Sequence, residues 1–235
     1  MSYVLSFSGG LDSTSLLLHL ICKNKPVYAI SFDYGQKHKI EIEFAKKNIN
    51  LLESHGINVN HKIVNISSIV TLLESSLTDP DINVPNGHYM DTNMKSTFVP
   101  NRNAIFSSVI YAYAISIYKR TLKNTSICLG VHSGDHLIYP DCRPEYISSF
   151  EKTANLATKA GVSGSSFKIH TPLIDMTKSE IIKVGLDLGV DYSLTSSCYD
   201  PDQEGNPCGL CDACYLRLKG FKETGITDPL NYSNQ

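Results

Sequence analysis

The stretch Ser8-Gly9-Gly10-Leu11-Asp12-Ser13 follows directly on the β-prone run Tyr3-Val4-Leu5-Ser6-Phe7 and opens into Thr14-Ser15-Leu16-Leu17-Leu18-His19-Leu20-Ile21, which reads as a buried helix. A strand that passes through two adjacent glycines into a helix sets several unpaired backbone N–H groups at the positive end of a helix dipole. That geometry binds phosphate. The glycines let the main chain approach an anion where a Cβ would collide. Ser8 and Ser13 add hydroxyl donors, and Asp12 adds a carboxylate for the Mg²⁺ that accompanies a nucleotide. The loop is not a Walker A sequence, because it lacks both the G-x-x-x-x-G-K-[ST] spacing and its lysine.

Further elements follow the same alternation. Pro26–Phe32 reads as a second buried strand ending in the polar string Asp33-Tyr34-Gly35-Gln36-Lys37-His38, followed by a helix from Ile40 to His55 closed by Gly56. His61–Val64 reads as a third strand, and the segment from Thr78 to Pro100, with three prolines among polar residues, as a long loop. Helices are expected over Ala104–Tyr118 and Glu145–Lys159, and strands over Ser126–Val131 and Phe167–Ile169. Thr177-Lys178-Ser179-Glu180 is a capping box that starts a helix ending at Gly189. This order predicts an α/β fold with a doubly wound, mostly parallel sheet. Ligands of such sheets gather at the carboxyl ends of the strands, where Ser8–Ser13, Asp33–His38 and the run beginning Gly130-Val131-His132 all fall. His132 and His136, which flank Asp135, read as polar loop residues.

A chain of 235 residues, 42% hydrophobic, suits one α/β domain over residues 1–190 with a small C-terminal segment over 191–235. No run reaches the roughly 20 apolar residues that cross a bilayer. The N-terminus lacks the basic region and cleavage site of a signal peptide, so a cytoplasmic protein is expected. A formal net charge of -2 gives no basic surface for a nucleic acid, which favours small-molecule substrates. Seven cysteines in such a chain point to metal or redox chemistry. Four of them, Cys198, Cys208, Cys211 and Cys214, crowd the C-terminal fifth, with two C-x-x-C pairs sharing Cys211. Four thiolates around a tetrahedral ion at about 2.3 Å make a closed, structural zinc site, and the same set also suits an iron–sulfur cluster.

The S-G-G-x-D-S loop resembles that of the PP-loop ATP pyrophosphatases, which have an adenine nucleotide alpha-hydrolase-like fold. Read with Asp33–His38, Ser96–Asn103, Tyr139-Pro140-Asp141-Cys142-Arg143-Pro144-Glu145, Thr171-Pro172-Leu173, Ser197-Cys198-Tyr199, Cys208–Cys214 and Leu216–Phe221, the chain is similar to the QueC family of 7-cyano-7-deazaguanine synthases over residues 5 to about 221. The resemblance implies a carbon–nitrogen ligase of queuosine biosynthesis. ATP adenylates the carboxylate of 7-carboxy-7-deazaguanine, ammonia displaces AMP to give an amide, and a second ATP activates the amide oxygen, whose loss leaves the nitrile preQ0. A loop that grips the β- and γ-phosphates leaves the α-phosphorus facing the acceptor, so AMP and pyrophosphate are the expected products.

Carried over by residue, the resemblance gives ATP and Mg²⁺ a site formed by Phe7, Ser8, Gly9, Gly10, Leu11, Asp12, Ser13 and Thr14, and gives Zn²⁺ to Cys198, Cys208, Cys211 and Cys214. Asp12, Arg102 and Arg143 are the candidate catalytic residues, the arginines because guanidinium grips phosphate or carboxylate in a bidentate manner. Tyr34 and Phe98 are candidates for stacking on the deazapurine, and Gln36, Asp135 and Asp141 for its polar edge. A homodimer is also implied; the ammonia is expected as free ammonium or from a separate donor, and no nucleic-acid or membrane partner is expected. The alternatives are a PP-loop enzyme that adenylates a tRNA base for thiolation or acts on a protein, and a nucleotide-binding module without turnover. Two positions depart from the family pattern. Asn101 replaces a frequent Gly, which Asn can match because it tolerates left-handed backbone, and Asp135-His136-Leu137-Ile138-Tyr139 replaces an aromatic-Ser-Gly stretch.

Overall fold

Val4 and Leu5 are wholly buried because β1 (Ser2–Ser6), which carries them, is the middle strand of the sheet. The computed structural model describes residues 1–37, 39–70, 72–87, 94–158 and 166–234. Along the chain β1 is followed by α1 (Leu11–Ile21), β2 (Val27–Asp33), α2 (Ile40–Ser54), β3 (Asn60–Asn65) and the short α3 (Ser67–Val70) and α4 (Met94–Thr97). Then come α5 (Arg102–Thr121), β4 (Thr125–Cys128), α6 (Ser133–Ile138), α7 (Pro144–Leu156), β5 (Ile169–His170), α8 (Lys178–Asp187) and α9 (Asp212–Thr224).

The strands pair in the order β3-β2-β1-β4-β5, every pair parallel, with Leu5 opposite Ala29 on one side and Cys128 on the other. Alternation along β1 feeds two cores. Tyr3, Leu5 and Phe7 pack with Leu16 and Leu17 of α1, Ala45 of α2, Ile181 of α8 and Phe221 of α9. Val4 faces the opposite way, with Ile30 and Phe32 of β2 and Ile110, Ala114 and Ile117 of α5. Helices therefore cover both faces, and the doubly wound parallel sheet expected from the sequence is observed. Each fully buried leucine contributes about 1.5–3 kcal/mol. The winding direction reverses between β1 and β4, which opens a crevice at their carboxyl ends.

Several boundaries differ from the sequence reading. β4 stops at Cys128 rather than Val131, and β5 is two residues long, with Phe167 held instead by a bond from its N–H to Asn155 Oδ1 (2.9 Å). α5 extends at both ends, and α7 closes at Leu156, while Lys159–Gly161 lie outside the described residues. The loop from Thr78 to Pro100 contains the one-turn α4. Two helices carry no signal that the sequence reading used. α6 is capped by His132, whose Nδ1 accepts the Gly134 N–H (3.1 Å) while Asp135 Oδ2 accepts the His132 N–H (3.1 Å). α9 packs on α8 so closely that a Cβ on Gly220 would come within 2.7 Å of Lys178 Cγ. The capping box at Thr177 forms as expected, with Glu180 Oε2 accepting the Thr177 N–H at 2.7 Å. No helix among the described residues is long and apolar enough to cross a membrane.

Candidate active site and cysteine centre

A cavity of about 320 Å³ opens at the carboxyl ends of β1, β2 and β4. Its floor is the turn between β1 and α1. Gly9 takes a left-handed backbone (φ +77°), and a Cβ there would lie 2.5 Å from the Ala45 nitrogen and 2.8 Å from the Glu41 oxygen of α2. The sequence reading gave both glycines to an approaching anion. Gly9 instead is required by the protein itself, since any side chain would drive the loop off α2. A Cβ on Gly10 would lie 3.1 Å from the Ser196 oxygen. Ser8 Oγ lies 3.1 Å from Ser13 Oγ and accepts the Gly10 N–H at 3.2 Å, which ties the turn to the first turn of α1.

Asp12 projects from that first turn. Lys178 Nζ, from the start of α8, donates to both of its oxygens at 2.7 and 2.8 Å and lies 2.8 Å from His132 Nε2. Burial alone would raise the Asp12 pKa, but Lys178 first and His132 second outweigh it and hold the carboxyl below its ordinary value. His132 cannot accept at both nitrogens while neutral, so Lys178 and the Gly134 N–H compete for one imidazole lone pair. Both His132 and Lys178 line the cavity. His132 is thus a member of the site and not the bystander that the sequence suggested.

The opposite wall comes from the β2–α2 loop and the start of α5. Gln36 has all its amide groups engaged. Its Oε1 accepts the Tyr34 N–H (2.9 Å), and its Nε2 donates to the Phe32 oxygen (3.0 Å) and to Glu41 Oε1 (2.7 Å). Burial pushes the Glu41 carboxyl up to about 7, against the opposing effects of Gln36 and the Arg102 charge. Asn101 adopts a left-handed backbone (φ 57°) and turns the chain into α5 with Arg102 as its first residue. Arg102 has the side chains of Tyr34, Tyr139 and Tyr199 beside it, and they favour its charged form against burial. Among the described residues no carboxylate lies within ion-pair distance of it. Tyr139 and Tyr199 bring their hydroxyls within 3.4 Å of each other.

Of the residues singled out from sequence, Phe7, Ser8, Gly10, Leu11, Asp12, Ser13, Tyr34, Gln36, Arg102, Asp135 and Asp141 line this cavity. Gly9 and Thr14 do not; Thr14 is buried behind the turn. Arg143 is exposed at the start of α7, and Phe98 is half-buried after α4, neither of them on the cavity wall. His38 lies outside the described residues, as do the side chains of His136, Leu137 and Ile138. Two members of the wall, Lys178 and Glu41, escaped the sequence reading. Lys178 was legible as the first residue of a capped helix, whose side chains lean toward the N-terminus and so toward the sheet rim.

The four C-terminal cysteines converge, with all four Sγ atoms within 4.8 Å of one another. Cys198 Sγ is 3.4 Å from Cys208 and 3.9 Å from Cys211, and Cys208 Sγ is 4.0 Å from Cys214. Ligands about 2.3 Å from a tetrahedral ion lie about 3.8 Å apart, so the quartet fits one metal ion. Backbone N–H groups of Tyr199, Asp200 and Cys208 point at the sulfurs at 3.2–3.4 Å, as suits thiolates. Cys198 and Tyr199 also line the cavity, so the centre and the cavity share a wall.

The family model described as "Queuosine biosynthesis protein QueC" matches residues 2–225. The chain belongs to the QueC family. A 7-cyano-7-deazaguanine synthase from Magnetococcus marinus is 47% identical over 232 residues, covering 99% of this chain and 97% of the relative. One from Pelobacter propionicus is 48% identical over 233 residues, covering 99% and 98%. Among solved structures, a predicted subunit of tRNA methyltransferase from Methanocaldococcus jannaschii superposes with a TM-score of 0.50 over 100% of this chain and 94% of that one. At 15% identity that likeness is one of fold.

Proposed function

We propose that this chain converts 7-carboxy-7-deazaguanine and ammonia to 7-cyano-7-deazaguanine with ATP, by adenylation and through the amide. The observation that carries the reading is a single cavity with an anion-receiving turn on one side and, on the other, a half-buried arginine that has no carboxylate partner among the described residues. A carboxylate is a poor electrophile until one oxygen becomes a good leaving group, so the protein must hold ATP and acid together and neutralise phosphate charge. In this reading the N–H groups at the start of α1 and the hydroxyls of Ser8 and Ser13 receive the pyrophosphate of ATP. Lys178 provides the cation that a Walker lysine provides elsewhere. Arg102 receives the acceptor carboxylate, and Tyr34 flanks the deazapurine. Mg²⁺ on Asp12 would draw charge from the leaving pyrophosphate.

We assign Zn²⁺ to Cys198, Cys208, Cys211 and Cys214, where four thiolates complete the shell and leave no position for water. The role is structural, and we keep residues 191–235 as the metal-binding segment beside the ATP-binding domain of residues 1–190. We further read the protein as a cytoplasmic homodimer that uses free ammonium and binds no nucleic acid, in keeping with a net charge of -2. Incubation with 7-carboxy-7-deazaguanine, ¹⁵N-ammonium and Mg-ATP tests the proposal. The expected products are the nitrile carrying the label and two AMP per turnover. Release of ADP, or an amide that accumulates without dehydration, would overturn it.

A further inference from the structure

Glu41 sits in the first turn of α2, with its backbone oxygen against the Gly9 turn and its side chain in the cavity wall. One carboxylate oxygen accepts from Gln36, the only hydrogen bond to this side chain among the described residues. Both N–H donors of the Gln36 amide are taken, by the Phe32 oxygen and Glu41, and its oxygen accepts the Tyr34 N–H. It therefore has no donor left to offer a substrate, and it holds one oxygen of Glu41, a residue of the cavity wall. The charged group that faces Glu41 is Arg102 from α5, with the Tyr34 hydroxyl beside it. Lys39, two residues earlier, is turned to Asp33 at 2.9 Å. Glu41 thus stands between the turn that would hold the pyrophosphate of ATP and the guanidinium that would hold the acceptor carboxylate.

We propose that Glu41 is the general base that takes protons from the ammonia-derived nitrogen, an assignment that rests on the adenylating function proposed above. Ammonium is unreactive until it loses a proton. Glu41 carboxylate accepts that proton, and the freed lone pair forms the C–N bond to the carbonyl carbon of the acyl adenylate. The C–O bond to the phosphate breaks, and its electron pair leaves with AMP. Glu41 then returns its proton to solvent and takes the second proton from the nitrogen, leaving the neutral amide. A base serves best when its pKa lies near the working pH, and burial brings Glu41 to about 7.

The test separates the two halves of the reaction in the full-length, metal-loaded protein. Pyrophosphate exchange into ATP, driven by 7-carboxy-7-deazaguanine without ammonium, reads adenylation alone. In Glu41→Gln, which keeps the acceptor oxygen for Gln36, exchange should stay within about threefold of wild type. The kcat/KM for ammonium should fall about 10²–10³-fold, in the range of lost general-base catalysis, and the acidic limb of its pH profile should disappear. In Gln36→Met, loss of a bond that favours the charged carboxylate should move that limb to higher pH, which a purely structural role would not do. Equal loss of exchange and ammonium use in Glu41→Gln, a raised KM for the deazapurine in its place, or an unchanged limb in both variants would refute the assignment. Absence of exchange in the wild type would instead refute the underlying function.

Discussion

Asp12 and Lys178 form the closest charge pair in the cavity, and each is placed to meet a different part of Mg-ATP. In the free protein they neutralise each other at 2.7 Å, with His132 as a third partner. In the function proposed above, binding of a polyphosphate would give Lys178 an anion to turn to and would release Asp12 for the cation. Asp12→Ala should therefore lower turnover by about 10³-fold or more, since several kcal/mol of transition-state stabilisation would go with the metal. Lys178→Met should raise the KM for ATP and leave the KM for ammonium unchanged. Steady-state kinetics at saturating Mg²⁺ checks both, and near-wild-type rates in Asp12→Ala would remove it from the mechanism. Asp12 itself was legible in the sequence because it stands inside a contiguous motif. Lys178 could be read only as the first residue of a capped helix and Glu41 not at all, because they reach the same cavity from α8 and α2, and only the sheet topology brings those helix starts to one rim.

At the scale of elements, the turn between β1 and α1 is shaped as much by α2 as by any ligand. The left-handed φ of Gly9 and the 2.5 Å approach of a would-be Cβ to the Ala45 nitrogen leave no conformation for alanine that keeps both the turn and α2 in position. Left-handed backbone costs a non-glycine residue about 1–2 kcal/mol before any clash is counted. Gly9→Ala should thus destabilise the fold by more than that in urea denaturation, whereas Gly56→Ala, with φ +76° but nothing within 4 Å, should cost only the backbone share. Equal effects would show that packing on α2 is not what fixes Gly9. The sequence signalled a glycine turn but could not tell backbone packing from anion approach, since both exclude a Cβ. The same limit explains α6 and α9. His132 caps α6 in a role that Ser, Thr, Asp and Asn usually fill, and α9 begins inside a cysteine motif whose spacing drew attention to metal instead of helix.

At the scale of the whole molecule, a buried ion pair and the cysteine centre join the C-terminal segment to the cavity. Arg217 of α9 donates to Asp228 through Nε (2.7 Å) and Nη2 (2.9 Å), and also to the Thr195 side chain (2.7 Å) and the Tyr192 oxygen (2.9 Å). With both side chains 2–3% exposed, Asp228→Ala leaves a buried guanidinium uncompensated and should cost about 3–5 kcal/mol in denaturant titrations. Arg217 lines the cavity too, so the ATP affinity of that variant should fall with its stability.

The cysteine centre acts on the same wall from the other side. Cys211 Sγ accepts the N–H of Tyr199 at 3.4 Å, and the Tyr199 hydroxyl meets Tyr139 at 3.4 Å in the cavity. Four thiols without an ion have no reason to stay within 4.8 Å of one another, so loss of the metal should release the loop that carries Tyr199. Cys211→Ser should consequently lower the melting temperature. At temperatures where the variant is still folded, it should also weaken binding of 7-carboxy-7-deazaguanine in calorimetry. Elemental analysis of the wild type should find one zinc per chain and no iron. A brown protein absorbing near the visible edge would mean an iron–sulfur cluster at the same four sulfurs. A variant that loses metal and melting temperature but binds the deazapurine as tightly as wild type would confine the centre to stability, and the shared wall at Tyr199 would then have no part in holding the substrate.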